Sequence, residues 1–257
     1  MSILEALILG IVQGLTEFIP VSSSGHLILA QEVFGTEGST LAFDVALHVG
    51  TLVALLLYFR KDLLDLAANL FANNKQGRLA RLLVLATIPA AVAGLLFSGF
   101  IDDNLRAPWV VAFTLAFVGV LMLIADTISS ENKPSEVKTK QGIGIGFAQA
   151  TALIPGISRS GATITAGVFF GLGRVQATRF SFLLAVPIIA GSALGIFLKD
   201  GDSISYDGAL LVGVMASFIS GLIAIKFMLK VIGKVGLKPF AFYRIGLAVL
   251  TVVFLLV

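Results

Sequence analysis

The chain has no cysteine and few charged side chains. Of its 257 residues, none is cysteine and only 13% are charged. The absence of cysteine excludes disulfide bonds, iron–sulfur clusters and zinc–thiolate sites. The scarcity of charge excludes an ordinary soluble domain, in which about a quarter of the residues are charged. The net charge is only +3, and the cations stand at the ends of apolar runs, so no nucleic-acid binding is predicted.

Hydrophobic residues are abundant instead, and they form long runs. They make up 57% of the chain, and the mean hydropathy is +1.00. The runs lack the alternation that a membrane barrel requires, and several approach the length of about 20 residues with which a helix crosses a bilayer. The composition therefore predicts an all-α polytopic membrane protein, with residues 1–257 forming a single integral membrane domain.

Six transmembrane helices are predicted from apolar runs that end at charged or turn residues. Their predicted positions are residues 43–59, 82–100, 109–126, 177–198, 208–229 and 240–257. Basic residues concentrate in the loops 60–81, 127–141, 173–179 and 230–239, whereas the loops 35–44, 101–108 and 199–207 are acidic or nearly neutral. Because basic loops stay in the cytoplasm, both chain termini are expected on the outer side.

Two shorter stretches combine apolar arms with a polar turn, and they resemble each other. Residues 10–30 and 146–166 align with a shift of 136 positions. Identical pairs in this alignment include Gly10–Gly146, Gln13–Gln149, Ser22–Ser158, Ser24–Ser160, Gly25–Gly161 and Ala30–Ala166. Each stretch also has a proline, Pro20 or Pro155, shortly before its serines. The alignment indicates an internal repeat, with repeat one at about 1–127 and repeat two at about 137–257.

The arms of these stretches are too short to cross about 30 Å of hydrocarbon. We therefore predict two re-entrant helical hairpins, whose irregular turns are tolerated at membrane depth only when they are buried in protein or line a wet cavity. The neighbouring loops place the opening of the first hairpin outside and that of the second in the cytoplasm. Hairpins that enter from opposite faces form an inverted-topology repeat, and their tips are expected to meet near the midplane.

The first hairpin carries an acid and an imidazole near its turn. Gln13 and Glu17 are four residues apart on one helix face, so both can point at one object. Glu17 can bind a divalent cation or accept a proton from a nucleophile. Ser23 and His26 have the i, i+3 spacing that suits a hydroxyl nucleophile beside a base. Structural roles stay open for Glu17, for the serines as N-caps and for His26, whereas His48 in the first span is predicted to be structural.

The second hairpin carries a guanidinium where the first has Ser23. Arg159 has a planar fork that matches phosphate oxygens, and without a partner it would be costly at membrane depth. It is therefore expected to bind an anion or to pair with Glu17. Backbone N–H groups at a helix start also favour anions. We predict substrate contacts from the polar and glycine positions near both turns: Gln13, Ser22, Ser24, Gly25, Gly156, Ser158, Ser160, Gly161 and Thr163.

The two stretches resemble the motifs of the undecaprenyl-diphosphate phosphatase family, also called the bacitracin-resistance protein family. The resemblance lies in the run from Gln13 to His26, QGLTEFIPVSSSGH, and in the run from Pro155 to Thr163, PGISRSGAT. It extends over the whole chain in length and span pattern. The family's first motif has an acid or amide, three residues and an acid. Here its first member is the amide Gln13, so Glu17 alone carries the acidic role.

This resemblance implies an enzyme of the bacterial cytoplasmic membrane that hydrolyses a polyprenyl diphosphate to the monophosphate and inorganic phosphate. The reaction recycles the lipid carrier for cell-wall synthesis. The resemblance also implies a divalent cation, magnesium or calcium, held partly by Glu17, together with a site open to the periplasmic face and a homodimer.

The hypothesis gives each catalytic residue a role in this reaction. Arg159 holds the phosphates, Ser23 or a water attacks the terminal phosphorus, His26 acts as base or acid, and Glu17 holds the cation. The alternative is a transporter or flippase for a polyprenyl phosphate or another anion, because inverted repeats with broken hairpins also build alternating-access carriers.

Overall fold

A computed structural model of the chain describes residues 1–34, 41–129, 136–200 and 207–256. All regular secondary structure in these residues is α-helical, so the predicted fold class is confirmed. The helices are α1 (Ile3–Phe18), α2 (Ser23–Phe34), α3 (Leu41–Tyr58), α4 (Arg60–Ala68), α5 (Lys75–Asn104), α6 (Pro108–Ile128), α7 (Thr139–Thr151), α8 (Arg159–Phe169), α9 (Arg174–Asp200), α10 (Gly208–Val235) and α11 (Lys238–Leu256).

Five stretches among the described residues are long and apolar enough to cross a membrane alone. They are Lys75–Ile101, Pro108–Ile128, Arg174–Gly195, Gly208–Val235 and Lys238–Leu256. The predicted span at 43–59 corresponds to α3, which reaches that length only together with α4, from which it is bent by 75°. The described residues therefore contain five candidate spans, or six when this bent pair counts as one.

The short helix α4 occupies part of a segment that the sequence predicts to be a loop, at 60–81. Its residues Arg60, Lys61, Asp62 and Asp65 make it too polar to be a span of its own, and its one buried residue is Leu66. A search for apolar runs finds helices that lie in lipid. A surface helix of this kind has only a narrow apolar face, so it does not appear as an apolar run in the sequence.

Helices α1 and α2 form the first hairpin, and α7 and α8 form the second. The second helix of each begins at equivalent positions, Ser23 and Arg159, which are 136 residues apart. The residue before each start has a positive φ, 77° at Ser22 and 72° at Ser158. Such a φ is uncommon outside glycine, so the two turns share an unusual backbone conformation at matching positions.

The hairpins pack against helices of the opposite half of the chain. α1 packs on α10, and α7 packs on α5, so the two first arms have equivalent partners. The contacts are close because glycines face carbonyl groups. A Cβ at Gly10 would clash with the carbonyl oxygen of Gly213, and one at Gly146 would clash with that of Ala86. Matching clashes at matching positions support the predicted repeat.

Three of the loops from which orientation is predicted lie partly outside the described residues, at 35–40, 130–135 and 201–206. The side of the membrane on which each terminus lies therefore stays a prediction, as does the inverted entry of the two hairpins. The described helices show a multi-pass membrane protein.

Candidate active site

The carboxylate of Glu17 is the centre of a polar network between the two hairpins. Glu17 is 5% exposed, and its Oε1 accepts a hydrogen bond from Nη2 of Arg159 at 2.8 Å. Its Oε2 accepts from Nε2 of Gln13 at 3.0 Å and from Oγ of Ser23 at 2.8 Å. Nε2 of His48 lies 3.3 Å from the same oxygen. Helices α1, α2, α3 and α8 thus each bring one side chain to this carboxylate.

The expected meeting of Arg159 and Glu17 is confirmed by these distances. Helix α9 supports the arginine from the other side, since Nη1 of Arg159 donates to the carbonyl oxygen of Ser181 at 3.1 Å. Phe182 packs edge-on against Phe18, with ring centroids 5.3 Å apart. Because these aromatic residues follow Ser181 and Glu17 in the chain, their contact brings the two partners of Arg159 together.

The serines that precede each second helix act as caps of that helix. Oγ of Ser22 accepts from the backbone N–H of Gly25 at 3.3 Å, and Oγ of Ser158 accepts from that of Gly161 at 3.0 Å. The next serine in each turn is close to the cap, with Oγ–Oγ distances of 3.4 Å for Ser22–Ser24 and 3.2 Å for Ser158–Ser160. These bonds satisfy first-turn N–H groups. The predicted substrate contacts of these residues stay predictions.

The predicted pair of Ser23 and His26 is not hydrogen-bonded in the described structure. Nδ1 of His26 lies 2.7 Å from the carbonyl oxygen of Ser22, and its Nε2 lies 2.8 Å from the hydroxyl of Tyr243 in α11. Both ring nitrogens are therefore engaged, while Ser23 bonds to Glu17. An i, i+3 spacing makes a contact possible, but here the carbonyl one turn back and a tyrosine 217 positions away bind the ring.

His48 lies at the site, although the sequence suggests a structural role. Its Nδ1 lies 2.8 Å from the carbonyl oxygen of Asp44, and its Nε2 faces Glu17. A carbonyl and a carboxylate both accept hydrogen bonds, so the geometry suits an imidazolium, which donates from both nitrogens. Together with Arg159 it would give the site more positive than negative charge, which favours an anionic ligand.

Two other predicted substrate contacts are engaged with protein groups. Gly156 has a φ of 87° and lies so close to α6 that a Cβ would clash with Thr114. Oγ1 of Thr163 donates to the carbonyl of Arg159 at 2.7 Å and lies 2.6 Å from Oγ of Ser181. Gly156 therefore shapes the second turn, and Thr163 links the backbone of Arg159 to Ser181.

Arg244 of α11 joins the two turns, and it is not among the residues predicted from the sequence. It is fully buried, at 0% exposure, and donates to the carbonyls of Pro20 at 3.2 Å, Gly156 at 2.7 Å and Ile157 at 3.1 Å. Two more acceptors are carbonyls of α6. Pro20 and Gly156 are again 136 positions apart. A lone arginine in an apolar run is expensive without partners, and that rule could have identified it.

A cavity of about 170 Å³ lies beside the Glu17 network. Its polar lining consists of Glu17, His48, Gln149, Arg159 and Ser192, and apolar residues of α3, α5, α9 and the turn after α7 form the rest. Within the described part of the chain, Nε of Arg159 and both amide atoms of Gln149 are buried without a hydrogen-bond partner. A second cavity, of about 280 Å³ between α4, α5 and α9, contains no residue of this network.

The predicted divalent cation can be compared with the oxygen atoms at the site. The described residues contain no cluster of three or more His, Cys, Asp or Glu side chains that could form a metal cage. However, the Oε1 atoms of Gln13 and Gln149 are buried without partners, and Glu17 supplies a carboxylate. Magnesium is often held by one or two carboxylates and by substrate phosphates. This donor set therefore fits a cation that phosphate oxygens also coordinate.

Comparison with known proteins gives consistent matches over almost the whole chain. The family model described as bacitracin resistance protein BacA matches residues 6–250. A protein of Rubrobacter xylanophilus named undecaprenyl-diphosphatase is 46% identical over 270 residues, covering 100% of this chain and 99% of that protein. Proteins of the same name from Aliivibrio salmonicida and Saccharophagus degradans are 48% and 46% identical over 254 and 253 residues, with 95% of each chain covered.

Proposed function

We propose that this chain, which belongs to the bacitracin resistance protein BacA family, is a membrane undecaprenyl-diphosphatase that releases inorganic phosphate and leaves undecaprenyl monophosphate. The names of the relatives supply the substrate. The observation that carries the chemistry is the convergence of Arg159, Ser23 and His48 on Glu17 beside a cavity. The product is the lipid carrier of cell-wall synthesis, so the enzyme would return it to use.

Ser23 is the proposed nucleophile, and Glu17 is its base. Oγ of Ser23 donates to the carboxylate at 2.8 Å, so the proton can pass to Glu17 while the oxygen attacks the terminal phosphorus. A Ser–O–P bond forms, the bond from that phosphorus to the bridging oxygen breaks, and undecaprenyl monophosphate leaves. Water then hydrolyses the phosphoserine. Direct attack by a water that Glu17 orients is the alternative.

Arg159 and His48 are the proposed partners of the phosphate oxygens. Phosphoryl transfer depends mainly on positioning and on neutralising charge. Arg159 reaches Glu17 with Nη2, while its Nε has no partner within the described chain, so one guanidinium can hold the base and a phosphate. His26, whose ring is bound to Tyr243, keeps its predicted role as base or acid only as a prediction, because it does not contact Ser23 here.

A magnesium or calcium ion belongs to the proposal as an expected cofactor. Glu17 would hold it together with the amide oxygens of Gln13 and Gln149, which have no partner among the described groups. When bound, such an ion neutralises phosphate charge.

The finer localisation is part of the same proposal. We place the protein in the bacterial cytoplasmic membrane, with both termini and the site opening on the outer side, as a homodimer. The distribution of basic residues supports the orientation, and the family resemblance supports the homodimer.

Phosphate release from undecaprenyl diphosphate by purified protein in detergent tests the function. The variants Arg159→Ala and Glu17→Ala are expected to lose nearly all turnover, whereas Arg78→Ala, a surface arginine paired with Glu136, retains it. Detergent abolishes the two compartments that transport needs, so phosphate release also separates a hydrolase from the transporter alternative. Turnover near that of the wild type in either site variant would refute the site.

The nucleophile is tested separately by rapid quenching with substrate labelled on its terminal phosphate. We expect label on Ser23 in the wild type and none in Ser23→Ala, which should also lose turnover. Retained turnover in Ser23→Ala would assign the attack to water.

A further inference from the structure

Gln149 is a buried amide whose two polar atoms lack hydrogen-bond partners in the part of the chain that the structure describes. The residue is 2% exposed, and both Nε2 and Oε1 are buried. Most buried side-chain polar atoms in native proteins have a partner, and each exception needs an explanation. Two such atoms in one side chain indicate a group that is kept for a ligand.

Its counterpart in the first hairpin shows what Gln149 lacks. Nε2 of Gln13 donates to Glu17, four residues later, whereas four residues after Gln149 the chain has Leu153. Another glutamine of α7, Gln141, is fully engaged, since its Oε1 accepts from the backbone N–H of Lys138 and its Nε2 donates to the carbonyl of Phe170. Neither the equivalent position in the first hairpin nor the contacts of the other glutamine in α7 explain why the amide of Gln149 is buried without a partner.

The position of Gln149 shows which ligand it can meet. It lines the same cavity as Glu17, His48 and Arg159, and Nε of Arg159 is likewise a buried donor without a partner among the described groups. Two such donors on residues that line one cavity, one of them on a guanidinium, suit the oxygen atoms of an anion.

We infer that Gln149 binds the diphosphate group of the substrate through its amide N–H, alongside Nε of Arg159. The inference rests on the proposed function. It extends the site to α7, so that the second hairpin contributes a substrate contact from each of its arms. The Oε1 atom is also buried without a partner among the described groups, so a cation or a water can bind it.

The inference predicts that stability and affinity respond in opposite ways to one substitution. Methionine has nearly the shape of glutamine and no group that needs a hydrogen bond. In Gln149→Met we expect an unchanged or higher Tm in detergent, because an unpaired buried amide is removed. We expect KM, and the Kd for a polyprenyl methylenediphosphonate, which is not hydrolysed, to rise about tenfold because a hydrogen bond to a charged group is lost.

Gln141→Met is the matched control on the same helix. It removes two satisfied hydrogen bonds outside the cavity, so Tm should fall while Kd and KM stay at wild-type values. A fall of Tm in Gln149→Met like that in the control, or Kd and KM within twofold of wild type, would overturn the inference.

A second variant covers the case in which Gln149→Met does not fold. Gln149→Glu has the same size and would face the phosphates with like charge, so its Kd should rise more than tenfold, and an unchanged Kd would overturn the inference. Phosphate release by the wild type is measured in parallel. If the wild type releases none, the proposed function itself fails, and the inference fails with it.

Discussion

The turns of the two hairpins have the same backbone and different chemistry. Ser22 and Ser158 share a positive φ and cap the following helix through equivalent N–H groups. At the first position of that helix, one hairpin has Ser23 and the other has Arg159, and both side chains reach Glu17. The repeated turn therefore supplies the geometry, and one residue in each copy supplies the chemistry.

The carboxylate that both copies use exists in only one of them, since Leu153 stands in the second copy where Glu17 stands in the first. A symmetric pair of turns thus serves an asymmetric site. This difference separates residues that shape both turns from residues that act in one, and substitutions can test the separation.

The largest effect is expected at the asymmetric position. Glu17→Gln keeps the shape of the side chain but removes the base for Ser23 and the charge that holds Arg159. A general base contributes about 10² to 10⁴-fold to rate, so turnover should fall about a thousandfold in the phosphate-release assay. A fall of less than tenfold in turnover would show that Glu17 is not the base for Ser23.

The next largest effect is expected where both turns meet. Arg244→Met leaves the carbonyls of Pro20, Gly156 and Ile157 without their donor, and a buried unsatisfied group costs about 1 to 3 kcal/mol. We expect the free energy of unfolding in detergent to fall by about 3 kcal/mol, together with turnover. Arg244→Lys should recover part of both, because it keeps the charge and some of the hydrogen bonds. An unchanged unfolding curve would contradict the joint role.

A smaller effect, of the same size at both positions, is expected for the helix caps Ser22 and Ser158. Ser22→Ala and Ser158→Ala should each lower the free energy of unfolding by about 1 kcal/mol, the usual cost of losing an N-cap. Ser22→Gly and Ser158→Gly should cost less, because glycine accepts a positive φ without strain. Chemical unfolding of the four variants in detergent measures this, and clearly unequal costs at the two positions would break the equivalence of the turns.

The smallest effect is expected at an ion pair outside both turns. Lys75 lies 2.6 Å from Glu136 and lowers the pKa of that carboxyl by hydrogen bonding and charge. A lowered pKa in the folded state gives stability that is present above the ordinary pKa and is lost as the pH falls through the folded-state value. Glu136→Gln should therefore leave turnover and Tm at neutral pH nearly unchanged. It should slightly reduce the fall in Tm that occurs as the pH is lowered. A large loss of turnover would mean that the chemistry is not confined to the turns.

The sequence predicted the parts of this site that depend on local pattern. Short apolar arms around a polar turn indicated the hairpins, and the motifs indicated that Arg159 and Glu17 meet, although 142 positions separate them. Long-range choices between partners could not be read in this way. Ser23 can reach either His26 or Glu17 from its place in the chain, and in the structure it bonds to Glu17 while His26 bonds to Tyr243.

The residues that were not predicted from the sequence, or were predicted to be structural, lie in apolar spans. His48 and Arg244 are single polar side chains among hydrophobic neighbours, so composition shows that they are unusual but not what they contact. Gln149 was recognised as the counterpart of Gln13, yet its lack of a partner is visible only when the surrounding helices are in place. A polar residue inside a span therefore indicates a function, but only the three-dimensional arrangement shows which groups it contacts.

The place of Arg244 in the chain has a consequence for biosynthesis. Both hairpins leave the ribosome well before α11. That helix carries Arg244, which donates hydrogen bonds to carbonyl groups of both turns. Membrane insertion can therefore deliver all the reactive side chains while the two turns are still untethered, and docking of α11 completes the site. Maturation would then depend on a late helix–helix association, and a chain arrested before α11 would have the chemical groups without the rigidity that aligns them.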